Sequence, residues 1–151
     1  MNATRTPGYL LSVLDNRCPR CRHGRIFKTS NPYRWGDTVR MNEECPVCAQ
    51  PTEIETGFYY GTGYVSYGLT VAFSVASFIA WWALVGFSLD DNRFFWWIGL
   101  NALVLLLLQP LFMRLSRSLW LSWFVRYDPD WRDHKPDTDP ERVVKEHRNN
   151  W

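Results

Sequence analysis

Charged residues disappear from the chain twice. None occurs at positions 57–89 and none at 94–113, and only Asp90-Asp91-Asn92-Arg93 separates the two runs. A helix needs about 20 largely apolar residues to cross a hydrocarbon core of about 30 Å. Both runs qualify, and so short a connection folds them into an antiparallel hairpin. The second run has no polar face: residues 103–108 read Leu-Val-Leu-Leu-Leu-Leu, and a chain this short cannot cover two such helices in water. A helix over the whole of 57–89 would reach about 50 Å. Its first residues, Gly57-Phe58-Tyr59-Tyr60-Gly61-Thr62-Gly63, mix glycines with aromatics. Glycine disfavours helix and Tyr favours the headgroup zone. The pattern therefore predicts an interfacial loop, then spans at 64–89 and 94–113. Phe94, Phe95, Trp96 and Trp97 form an aromatic belt beyond the turn.

Within the first span Gly68, Ala72, Ala76 and Ala80 recur every fourth residue. Such a stripe lets two helix backbones approach closely. It can pack on the second helix of the hairpin or on a helix of another protein, and the sequence leaves both open. Thr70, Ser74 and Ser77 add hydroxyls; Asn101 and Gln109 add amides to the second span, and Pro110 predicts a kink there. No Asp, Glu, Lys, Arg or His lies inside either span. That argues against an intramembrane proton path or a bis-histidine haem.

The flanks are polar by comparison. Residues 1–16 form a leader whose apolar cluster, Tyr9, Leu10, Leu11, Val13 and Leu14, suits a short interfacial helix. That cluster is shorter than the 7–15 residues of a signal-peptide core, so no cleavable leader is expected. Residues 114–127, with Arg114, Arg117, Trp120, Trp123 and Arg126, predict an amphipathic juxtamembrane helix with its arginines among headgroups. Residues 128–151 read as a polar tail, with a short helix near 141–148.

The chemistry lies in residues 17–56. Cys18-Pro19-Arg20-Cys21 and Cys45-Pro46-Val47-Cys48 stand 23 residues apart and contain all four cysteines of the 151-residue chain. Two residues between thiolates let a tight turn aim both sulfurs at one point, and two such turns supply the tetrahedral sulfur set zinc prefers. The expectation is one structural Zn2+ on Cys18, Cys21, Cys45 and Cys48, stapling a small β-type zinc ribbon of short strands and turns that is too small to fold unaided. Four thiolates close the shell, so neither a catalytic position nor a catalytic residue is predicted. The rival reading is redox, but two C-x-x-C pairs without a βαβ frame do not suit it. Arginines crowd the first half of this segment, where they would offset the negative charge of a four-thiolate centre. Net charge is only +2, and no aromatic-basic stripe is present, so nucleic acid is not an expected partner. No small-molecule substrate is evident either.

Basic residues gather on the cysteine side and after the second span, whereas the turn holds only Arg93. The positive-inside rule then places both termini in the cytoplasm, where thiols stay reduced.

Cys18-Pro19-Arg20-Cys21 with Gly24-Arg25-Ile26-Phe27, Cys45-Pro46-Val47-Cys48, and the hairpin through Pro110 to Trp123 resemble a bacterial membrane family known as domain of unknown function 983. The run from Phe58 to Tyr64 resembles it less closely. The likeness covers about residues 17–127. It implies a zinc ribbon followed by a two-helix transmembrane hairpin in the bacterial inner membrane. The family has no assigned activity; some members are encoded beside assembly factors for haem-copper oxidases, which points toward respiratory-complex biogenesis. The functional expectation is thus a non-enzymatic accessory or assembly factor that binds the lipid bilayer and another membrane protein. The alternatives are a stable small subunit of a larger complex and a thiol- or metal-handling protein.

Overall fold

Two long helices carry the apolar runs in the computed structural model, which describes residues 7–34, 36–86 and 91–136. A short helix α1 (Tyr9–Leu14) comes first, and the cysteine-bearing segment follows. A 3-10 turn (Phe58–Gly61) then leads into α2 (Thr62–Val85), and α3 (Arg93–Phe124) completes the hairpin. Both long helices are apolar enough to cross a membrane, and their most apolar stretches are almost wholly uncovered by the rest of the chain.

The boundaries of α2 differ from the expected span of 64–89. It ends at Val85 because Gly86 takes a φ of +83°, a left-handed conformation open to glycine without a Cβ penalty. Arg93 Nη1 donates to the Val85 carbonyl at 2.9 Å and its Nε pairs with Asp91 Oδ2 at 2.9 Å, so the charged turn caps the helix. Residues 87–90 lie outside the described residues. At the other end, residues 58–61 coil into the 3-10 turn where an interfacial loop is expected. Gly61 is not there to break a helix: a Cβ at this position would run into the indole of Trp120.

Small hydroxyls and one amide join α2 to α3. Asn101 Nδ2 donates to Ser74 Oγ at 3.3 Å, Ser77 Oγ lies 2.9 Å from Asn101 Oδ1, and Trp97 Nε1 donates to Ser77 Oγ at 3.3 Å. Phe73 meets Phe112 and Phe78 meets Trp97 on either side of this latch. An amide at mid-span must be satisfied inside the protein, and Asn101 is. Gly68, Ala72, Ala76 and Ala80 are all exposed, and a Cβ on Gly68 would meet nothing within 4 Å.

α3 is one helix of 32 residues that continues through Pro110, so the amphipathic stretch expected from residue 114 follows the span without a break as far as Phe124. At about 1.5 Å per residue it is about 48 Å long, some 18 Å more than a hydrocarbon core. The surplus is the site on which the cysteine segment docks. The sequence pattern sets Arg114 among headgroups, but it is 3% exposed. All five of its guanidinium N–H groups are used: Nε donates to the Thr38 carbonyl, Nη1 to the carbonyls of Thr29 and Ser30, and Nη2 to Thr29 Oγ1 and the Asn31 carbonyl, at 2.7–3.2 Å. The guanidinium also covers the Phe27 ring. Arg117 turns the same way, donating to the Val39 carbonyl at 3.0 Å. Further along, Leu121 and Val125 enter the core that surrounds the cysteines.

α1 lies against this end of α3: Tyr9 bonds to Ser122 at 2.9 Å, and Ser12 and Val13 are buried. Leu10, Leu11 and Leu14 remain exposed.

Replacing Arg114 with Met keeps the length of the side chain and strands the carbonyls it serves. This should loosen the docking by about 2–4 kcal/mol. Limited proteolysis should then cut within residues 29–40 much faster than in the wild type, with the helical circular-dichroism signal of the hairpin unchanged. Equal resistance to the protease would remove Arg114 as the anchor.

Candidate metal centre

Each C-x-x-C folds into the same turn. Arg22 N–H bonds to the Cys18 carbonyl at 2.7 Å, and Ala49 N–H bonds to the Cys45 carbonyl at 2.9 Å. Each turn closes with a non-glycine residue in the left-handed region, Arg22 at φ 57° and Ala49 at φ 54°. Such residues cost about 1–2 kcal/mol each, so the turns need something to hold them. Cys18 N–H donates to the Gly24 carbonyl at 2.7 Å and Cys45 N–H to the Gln50 carbonyl at 2.8 Å, tying each turn to the chain that leaves it.

The turns face one another. Cys18 and Cys48 sulfurs are 3.7 Å apart, as are those of Cys21 and Cys45, and all four lie within 4.8 Å of one another. A disulfide would bring sulfurs to about 2.05 Å. Tetrahedral ligation at about 2.3 Å per bond places them about 3.8 Å apart, so the residues fit an all-sulfur metal shell. The sulfurs are held for that role by backbone N–H groups: those of Cys21, Gly24, Cys48 and Gln50 bond to Cys18, Cys21, Cys45 and Cys48 respectively. Such bonds favour thiolate. The protons are shared unequally. Bonding to Cys18 draws Cys21 well down and Cys45 to about 7, while contact with Cys21, Cys45 and Cys48 pushes Cys18 up. A bound metal ion would replace these shared protons and needs every thiol ionised. Cys18, Cys21, Cys45 and Cys48 are 1%, 0%, 3% and 8% exposed, and a four-sulfur shell has no vacant position for water or substrate.

The predicted strands are not found: the described residues hold only isolated bridges, Arg17 with Arg25, Phe27 with Met41 and Glu44 with Pro51. The reason is visible in the acceptors. Carbonyls of Thr29, Ser30, Asn31, Thr38 and Val39, which a neighbouring strand would use, go to Arg114 and Arg117 instead. The arginines beside the cysteines also find partners other than sulfur. Arg20, 5% exposed, donates to Asp128 at 3.2 Å and to the His134 carbonyl at 2.7 Å, and Asp128 N–H returns a bond to the Arg20 carbonyl at 3.1 Å. Arg22 lies over Tyr127 at 4.0 Å, and His23 Nδ1 pairs with the Cys21 carbonyl.

Residues 128–136, expected as part of the polar tail, thus fold back over the first knuckle, with Trp131 against the core. Residues 137–151, where a short helix is expected, lie outside the described residues.

No protein-family model, curated protein or solved structure matches this chain.

The structure therefore brings together all four predicted ligands. Sequence reasoning missed Arg114, which anchors the loop between the knuckles, and the pair of Arg20 and Asp128, which ties down the first knuckle. A faint signal for the first exists in the spacing of 114, 118, 121 and 125, one helix face buried throughout, but its mixed polarity hides it.

One position tests how tightly the sulfurs are held. A Cβ on Gly24 would overlap the Cys45 sulfur, whereas one on Gly8 would meet nothing within 4 Å. Gly24→Ala removes no ligand, yet it should speed metal release to a chromophoric chelator by about tenfold or more, and Gly8→Ala should not. Matching rates in the two variants would mean that the sulfur shell yields freely.

Proposed function

We propose that the chain is a bacterial inner-membrane protein whose hairpin spans the bilayer with both termini in the cytoplasm. It carries one structural Zn2+ on a four-cysteine ribbon and acts without catalysis, as an accessory or assembly factor that binds another membrane protein. The observation that carries this reading is the pairing of a buried, coordinatively closed sulfur centre with two bare apolar helices. An apolar core helix of a soluble protein is covered; the apolar windows of α2 and α3 are 0% and 6% buried. Zinc is the metal best suited to a tetrahedral sulfur shell that serves folding. Function then passes through surfaces, and the exposed small-residue stripe on α2 is one that a partner helix can approach closely. The resemblance to domain of unknown function 983 supports respiratory-complex biogenesis as the process served.

A stable small subunit remains the alternative, separated by stoichiometric co-purification. Thiol exchange fits less well, because sulfurs at most 8% exposed are poorly offered to another protein.

Three measurements test the reading. Elemental analysis should give one zinc per chain; iron, or two disulfides without metal, would defeat the metal assignment. A reporter fused after Trp151 should signal cytoplasm and one inserted at Asp91-Asn92 the opposite side; the reverse pattern would defeat the orientation. Ala72→Leu with Ala76→Leu should abolish partner co-purification while leaving the chain inserted and zinc-loaded. Unchanged capture would place that stripe against lipid.

A further inference from the structure

Where α2 begins and α3 leaves its apolar run, the two helices and the cysteine module enclose a cleft of about 200 Å3. Thr62 and Ser66 of α2 face Gln109, Met113, Ser116 and Arg117 of α3 across it, and Val39 stands at the rim. Positions 109, 113, 116 and 117 follow helical spacing on one face, so the cleft runs along α3 for about 12 Å from Arg117 to Gln109.

Three of its polar side chains keep donors that the fold does not use. Arg117 gives one N–H to Val39 and rests over Tyr59 at 5.0 Å. A guanidinium has five N–H groups, and among the described residues no other acceptor and no ion pair engages this one. Glu53 acts on it only through space. The carboxamide of Gln109 and the hydroxyl of Ser66 have no hydrogen-bond partner among the described residues. Thr62 and Ser116 already give their protons to the Tyr59 and Met113 carbonyls, at 2.6 and 3.0 Å. No carboxylate lines the cleft. Such a site calls for a ligand that is anionic at the Arg117 end and accepts hydrogen bonds at the Gln109 end. Gln109 lies inside the charge-free run, where an unpaired amide is unfavourable against hydrocarbon. Met113 and Val39 add apolar contact.

We propose that this cleft binds a phosphate ester, its phosphate held by Arg117 and Ser66 and an ester carbonyl by Gln109. The inference rests on the membrane reading above, which sets the cleft at headgroup depth. A small soluble phosphate would reach Arg117 alone, whereas a phospholipid carries its ester carbonyls one glycerol away from the phosphate and meets Gln109 as that side chain reaches along the cleft.

The test uses the full chain in nanodiscs of phosphatidylcholine with added phosphatidylglycerol, counting retained lipid by native mass spectrometry. Wild type should keep about one phospholipid per chain, phosphatidylglycerol in preference, because its headgroup brings net negative charge to Arg117 and that of phosphatidylcholine does not. Arg117→Gln should lower retention about tenfold and Gln109→Leu about threefold, with metal content unchanged. The second variant touches no described hydrogen bond, so misfolding cannot account for its loss. Displacement of the lipid by inorganic phosphate would assign the phosphate site to a soluble ester, and resistance to displacement assigns it to lipid. Equal retention by wild type and both variants, or none by wild type, overturns the proposal and leaves the membrane reading standing. Extraction of the chain from native membranes by carbonate would overturn both.

Discussion

A set of turns becomes a body only when something holds its ends together, and here four buried sulfurs meet at one point. Between them the described residues form no ladder of strands, and two of the turns close through left-handed residues that are unfavourable on their own. The same core that surrounds the sulfurs contains Ile26, Phe27 and Met41 from the loop, and Leu121 and Val125 from the end of α3. The four-cysteine module is therefore not a separate bead on a linker. It is completed by the helix that carries it.

Arg114 makes that union directional. Apolar contact alone would let the loop slide along α3, whereas five N–H groups in a fixed fork accept only one arrangement of carbonyls. The guanidinium has no carboxylate beside it in the described contacts, so its charge is met by carbonyl dipoles and the face of Phe27. α3 is unbroken from Arg93 to Phe124. The helix that carries the apolar run is thus the same one that supplies Leu121 to the core around the cysteines.

The parts of this structure that the sequence revealed are those with a strong one-dimensional signature. Absence of charge over long runs marks α2 and α3, and paired cysteines at fixed spacing mark the ligand set. What escaped depends on contacts across large sequence separations. Gly61 reads as a helix breaker until Trp120, far along the chain, is seen to need its space. Arg114 reads as a headgroup arginine because nothing near it in sequence shows that carbonyls of residues 29–38 will converge on it. Predicted strands failed for the same reason, since their acceptors were taken by a distant helix. Asp128 belongs to a polar run, and only Arg20, 108 positions earlier, shows why it folds back.

The bond from Arg114 to Thr29 spans 85 positions, and it has a consequence for biosynthesis. The cysteines leave the ribosome first, yet the residues that complete their core emerge only after both spans have been made. During that interval the knuckles can gather an ion, but they have no floor to rest on. On the membrane reading, the hairpin must be threaded into the bilayer before the chain that preceded it can finish folding. On that reading, a chain whose second span fails to integrate would leave the cysteine module without Leu121 and Val125 to complete its core.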